Sequence, residues 1–168
     1  MGTDIHLFIE HAIRASGALL YLSLSDGPFS LTRDYRFFGA LSEVRGGGPL
    51  VHSRGIPADA SDPACRAYYH LVSGGEHHDG LWQHISHSTA DEYVARGLSH
   101  RRSWRSLDLV SDPDAHSPSW LSRAELLASL AHAGIEHESL AVDIRATLAA
   151  VNAIPHTDSP RIVFWFDN

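Results

Sequence analysis

Ile5, Leu7 and Ile9 share one phase at the start of the chain, and Asp4 and His6 fall on the opposite phase. A period of two predicts a strand over residues 4–11, with Asp4 and His6 sharing its second face. Residues 18–24 (Ala18-Leu19-Leu20-Tyr21-Leu22-Ser23-Leu24) read as a second strand, and Ser16-Gly17 as the turn of an antiparallel hairpin. Phe38, Leu41 and Val44, with Tyr35, recur at helical spacing and predict a helix over 34–45, capped by Thr32 or Asp34 and ended by Gly46-Gly47-Gly48-Pro49. A loop follows over 46–61. Asp62-Pro63 opens a further helix with Ala64, Ala67, Tyr68 and Leu71 on one face, stopped at Gly74-Gly75.

Residues 73–88 read as a His-rich loop or lid containing His77, His78, His84 and His87. Thr89-x-x-Glu92 has the form of a capping box for a short helix ending near Gly97, and 104–110 reads as a strand. The stretch from Asp112 to Trp120 reads as a loop. Ser122-x-x-Glu125 is a second capping box, with Leu121 and Leu126 placed as a hydrophobic staple, for a helix to about His132. Leu140, Ile144, Leu148 and Val151 predict a helix over 136–151. Residues 161–166 form an apolar strand, expected inside the sheet beside the first one. The pattern therefore predicts an α+β fold. One domain spans 1–168, with a small mixed or antiparallel sheet that contains the N- and C-terminal strands and packs with four to five helices.

Composition narrows the function. The 168 residues include 13 basic and 20 acidic side chains, a net charge of −7. That balance argues against a duplex nucleic-acid binder or a binder of anionic membranes. All 13 basic residues are Arg, which fits a GC-rich coding sequence and makes every cation a planar fork suited to carboxylate or phosphate. Cys65 is the single cysteine, which excludes an intrachain disulfide and a Cys-based zinc site and fits a cytoplasmic location. No signal peptide or membrane span is expected. Assembly into a homo-oligomer is compatible with these numbers.

Candidate chemistry centres on two Asp-x-His repeats. Asp4 and His6 lie on the first strand, and Asp114 and His116 lie ahead of the well-capped helix. Asp with His can hold a divalent metal, so Asp4, His6, Asp114 and His116 form one candidate metal set. Alternatively, carboxylates orient the imidazoles as a catalytic acid and base. With 13 Asp and 13 His, composition alone yields about one such match, so the spacing gains meaning only if the two repeats converge in space. Arg45 and Arg54, with Arg33, are candidate phosphate ligands at loop edges. Ser117, Ser119 and the following helix N-terminus could add donors, and Tyr35 and Trp120 aromatic surface. Of the histidines from His70 to His87, His84-x-x-His87 could chelate if helical, but a polar loop accounts for the group.

Met1-Gly2-Thr3-Asp4-Ile5-His6, Arg33-Asp34-Tyr35-x-x-Phe38, Val44-Arg45, Arg54-Gly55-Ile56-Pro57, His116-Ser117-x-Ser119-Trp120-Leu121 and Val163-Phe164-Trp165-Phe166-Asp167-Asn168 together resemble a family of small uncharacterised phage and bacterial proteins. That family commonly has Cys where Thr3 stands, and a Gly and a second His where this chain has Ala115 and Pro118. The resemblance implies that Asp4, His6, Arg45, Arg54, His116, Ser117 and Ser119 occupy motif positions, and it suggests a phage context. By analogy, the expected function is removal of a small anionic, nucleotide-derived signal of bacterial immunity by a phosphodiesterase or other hydrolase. Sequestration of such a ligand without cleavage is the alternative, and a protein–protein inhibitor is the second alternative.

Overall fold

A computed structural model of the chain describes residues 2–73 and 82–168. His77 and His78 of the expected lid lie outside those residues. The opening hairpin forms as the alternation predicts, from β1 (Asp4–Ala15) and β2 (Ala18–Ser23). Ser16 and Gly17 both take positive φ (49° and 82°), the backbone a two-residue hairpin turn needs, and Ala15 pairs with Ala18 across it. The closing strand, β8 (Arg161–Asp167), pairs antiparallel with β1, with His6 opposite Trp165 and Phe8 opposite Val163. β7 (His116–Ser122) pairs with the other edge of β8, giving a first sheet in the order β2-β1-β8-β7.

The first sheet is covered on both faces, which explains the nearly continuous burial along β1 and β8. On one face Ile5, Leu7, Ile9, Ile162, Phe164 and Phe166 meet three helices. These are α1 (Tyr35–Leu41), α4 (Arg123–His132) and α5 (Val142–Ala153). On the other face Phe8 and Trp165 pack against α2 (Asp62–Tyr68) and a second sheet. That sheet runs β4-β3-β6-β5, from β3 (Tyr69–Val72), β4 (His84–Ile85), β5 (Arg101–Trp104) and β6 (Leu107–Ser111). Its β3–β4 pair is parallel and the others antiparallel. Among the described residues no helix is long and apolar enough to cross a membrane.

Several expected boundaries move for local reasons. The helix from Tyr35 ends at Leu41, not at residue 45, and Val44–Gly46 form a separate 3-10 turn in which Arg45 has φ 54°. Asp34 is its cap, accepting from the Arg36 and Phe37 amides. The helix from Asp62 ends at Tyr68, so Leu71 lies on β3 instead of on the helical face. His84 lies on β4, and His87 opens α3 (His87–Ala95), so the two share no helical face and residues 84–88 are not loop. Ser86, not Thr89, caps α3 by accepting from the Thr89 amide. The single strand expected over 104–110 is a hairpin turning at Arg105-Ser106, both at positive φ. The region expected as a loop before α4 contains β7, with a bulge between His116 and Ser119 that accommodates Pro118. The Ser122–Glu125 capping box forms as expected. The last long helix begins at Val142.

Candidate functional site

Residues Trp165 and Phe166 are successive on β8 and point to opposite faces of the sheet. His6 stacks on Trp165, with centroids 5.3 Å apart and planes within 6°. His116 stacks on Phe166 at 5.9 Å. The two histidines of the Asp-x-His repeats therefore lie on opposite faces of the first sheet and do not form one acid–base pair. Neither takes its own motif carboxylate as hydrogen-bond partner. His6 Nε2 is 2.8 Å from Asp167 Oδ2, and His116 Nδ1 is 3.2 Å from Ser117 Oγ. Asp4 is held by both arms of the Arg33 guanidinium, at 2.6 and 2.7 Å. The Arg33 hydrogen bonds hold the Asp4 carboxyl below the usual carboxylate range. The expected metal set of Asp4, His6, Asp114 and His116 is thus not assembled. Among the described residues no group of three His, Cys, Asp or Glu side chains is placed to hold a metal ion.

Sharing a cleft with His6 is a histidine that the periodicity hid. His70 lies on β3, and its Nε2 is 3.4 Å from Asp112 Oδ2. The other oxygen of Asp112 accepts the Asp114 amide at 2.8 Å, which fixes the turn that carries it. Both imidazoles line one cleft of about 280 Å³ between the sheets, walled by Tyr68 and Trp165 and rimmed by Gln83, Asp114 and Asn168. That volume lies at the lower end of small-molecule sites. His70 meets the edge of Tyr93, and its buried Nδ1 has no hydrogen-bond partner among the described residues. Among the described residues no arginine lines the cleft, whereas Asp112, Asp114 and Asp167 do. A multiply charged anion would be repelled there.

The remaining expected residues divide between a second cavity and the scaffold. Arg45, Asp114, His116 and Ser117 line a larger cavity of about 910 Å³, together with Thr3, Leu98 and Asn168. This cavity shares Asp114 and Asn168 with the histidine cleft. Arg45 lies over the Tyr35 ring, 5.1 Å from its centroid. The turn carrying Arg45 is seated by a backbone contact with α1. A Cβ on Gly47 would fall 2.3 Å from Gly39 Cα, so only glycine allows that approach.

Arg54 is far from a bare phosphate ligand. It binds Glu125 with two bonds of 3.0 Å, donates to the Trp120 carbonyl and stacks 3.8 Å over the Trp120 ring. Glu125 in turn fills the N-terminus of α4. Burial alone would raise its carboxyl, but bonds from Arg54 and Ser122 more than offset this and hold it below its ordinary pKa. Ser119 is buried and accepts the Arg54 amide at 3.2 Å. Arg54, Ser119 and Trp120 thus tie β7 to the preceding loop, and the anion-binding helix N-terminus expected there is occupied by the protein's own carboxylate. Burial pushes the Cys65 thiol up to about 12, which leaves it no thiolate for chemistry near neutral pH.

Sequence reasoning missed His70, Asp112 and Asp167. The run Tyr68-Tyr69-His70-Leu71-Val72 is rich in aromatic and branched residues, a strand signal that the helical spacing of Ala64, Ala67 and Tyr68 masked. The fold and site together define a two-sheet α+β protein with paired imidazole–carboxylate groups in an inter-sheet cleft. No protein-family model, no curated protein and no solved structure matches the chain.

Proposed function

We propose that this protein is a small hydrolase that cleaves a nucleotide-derived phosphodiester with His6 and His70 as its general acid and base. The observation that carries the reading is two imidazoles lining one cleft, each with a carboxylate partner, Asp167 and Asp112. A carboxylate on one ring nitrogen orients an imidazole and stabilises its protonated form. Asp167 leaves His6 Nδ1 for the substrate, whereas His70, with Nδ1 buried, exchanges its proton through Nε2 as the long 3.4 Å contact with Asp112 opens. One imidazole removes a proton from water as the water oxygen bonds to phosphorus. The other, protonated, gives its proton to the leaving oxygen as that P–O bond breaks. The products are a phosphomonoester and an alcohol, and the two imidazoles have exchanged roles.

The acidic lining selects among phosphates. A diester carries one negative charge, which the protonated imidazole balances, whereas a terminal phosphate carries up to two and meets three aspartates. In a phage-infected cytoplasm such an activity would remove a nucleotide signal of bacterial immunity. The test is incubation of the purified protein with cyclic and linear nucleotides, with and without EDTA, and mass spectrometry of the solution and of ligand released by heat. The expected result is diester turnover that persists in EDTA and is lost in His6→Ala and in His70→Ala. Intact ligand recovered only after heating would replace the enzyme with a sequestering protein. No turnover and no bound ligand would sink both and leave the protein–protein inhibitor.

A further inference from the structure

We infer that the larger cavity beside the histidine cleft is the recognition subsite for the non-reacting half of the same substrate, which makes that substrate a diester between two nucleoside-sized groups. The inference rests on the hydrolase reading for the position of the reacting phosphate, but its own support is separate. The two cavities lie against opposite faces of the first sheet, with His6 lining one and His116 the other, and both reach Asp114 and Asn168 at its end. A ligand extending from His6 and His70 round Asn168 would therefore enter about 910 Å³ of further space. A cyclic mononucleotide has no second body to place there.

Backbone strain points to the same cavity. Six described residues other than glycine have positive φ. Ser16, Arg105 and Ser106 form the two-residue turns of hairpins, and Ser159 ends the 3-10 turn before β8. Arg45 (54°), in the Val44–Gly46 turn, and Ser117 (51°), in the β7 bulge, both line the large cavity. A side chain kept where glycine would be unstrained indicates that the side chain has a use.

Hydrogen-bonding capacity is also unspent there. His116 Nδ1 faces its neighbour Ser117, while its buried Nε2 has no partner among the described residues. Thr3 Oγ1 donates to Asn168 Oδ1 at 3.1 Å, which leaves the Asn168 amide NH₂ as a further polar group, and Leu98 and Val44 add apolar wall. Glu43 at the rim is tied to His52 at 2.9 Å. A nucleoside, with an apolar ring face and several donors and acceptors, matches that mixture.

The experiment compares two substrates. Adenylyl-3′,5′-adenosine would use both cavities, and bis(p-nitrophenyl) phosphate is the small reference diester. Two variants alter the large cavity at residues that do not line the histidine cleft. Leu98→Trp fills it from an exposed position (59% exposed), and Arg45→Gly removes the guanidinium while suiting the backbone. Each should lower the ratio of kcat/KM for the dinucleotide over the small diester at least tenfold. Retention of the wild-type ratio by either variant overturns the subsite. If the wild type cleaves neither compound, the hydrolase reading fails by itself, and calorimetry of the uncleaved dinucleotide decides the subsite. Binding to wild type that weakens at least tenfold in both variants upholds it, and no binding to wild type, or unchanged binding in either variant, overturns it.

Discussion

The two ends of the ladder between β1 and β8 carry ionisable side chains on the same face, His6 and Glu10, and use them in opposite ways. Glu10, at the inner end, is fully buried, with Oε2 2.8 Å from Arg161 Nε and Oε1 accepting the Ser61 amide at 2.8 Å. Arg161 is itself buried, reaches Asp59 at 2.9 Å and lies 3.4 Å from the Tyr21 ring centroid. Every charge there is answered by the protein. At the outer end His6 is half-buried, faces a cleft and is held on one side by Asp167. A charged group locked in a complete network holds the fold together. One with a partner on one side and a cavity on the other is available for a ligand.

The sharpest way to break this contrast is to remove the histidines. On the proposed mechanism His70→Ala lowers kcat about 10²–10⁴-fold, the usual worth of a general acid or base, with the melting temperature close to wild type. Asp112→Asn should fall in the same direction by less. A His70→Ala enzyme with wild-type kcat would show that the cleft performs no proton transfer. Glu10→Ala should do the reverse. It leaves Arg161 short of a partner inside the protein, at a cost of about 3–5 kcal/mol in urea unfolding. A loss under about 1 kcal/mol would mean that Asp59 alone satisfies Arg161, and the inner end would lose its claim to be closed.

Gly47→Ala probes how the large cavity is held. Its Cβ would meet α1 backbone at Gly39, so the Val44–Gly46 turn must shift, at about 1–3 kcal/mol. Activity on the dinucleotide should fall further than activity on a small diester, because the displaced residue is Arg45. Equal falls would place the effect in global stability.

These contrasts also mark what the chain's own pattern reveals. The first hairpin, the cap at Asp34, the Ser122–Glu125 box and the placement of β8 beside β1 are local or strongly apolar signals, and all were legible. β7 was not, because Asp-Pro-Asp, serines and Pro118 have the composition of a loop, and the bulge is what lets them form an edge strand. β3 was hidden by a helical period that ran on past its helix. The second sheet went unseen with it, since a strand as short as His84–Ile85 has almost no period of its own. At the site, spacing found His6 but suggested Asp4 as its partner. The hydrogen-bonding carboxylate comes from Asp167, 161 residues away, and such pairing follows from sheet register, not from proximity in sequence.

Asp4 supplies the smallest expected effect and the finest test of the contrast. It begins the β1–β8 ladder that Glu10 closes, it makes a two-armed pair with Arg33, and it is exposed. Exposed pairs are screened by water and contribute little. Asp4→Asn should therefore leave activity and neutral-pH melting unchanged within error, although its motif resembles the site more than Asp167 does. The carboxyl of Asp4 is depressed in the folded protein, so what stability it contributes is present above its ordinary value of 3.8 and is lost as the pH falls through the depressed one. Any wild-type advantage over Asp4→Asn should accordingly begin to fade as the pH drops below 3.8, and the two acid-unfolding curves should meet only below the depressed value. If Asp4→Asn instead lowers kcat as far as His6→Ala does, the outer end of β1 works through Asp4 as well. The carboxylate serving His6 would then have to be sought on its own strand.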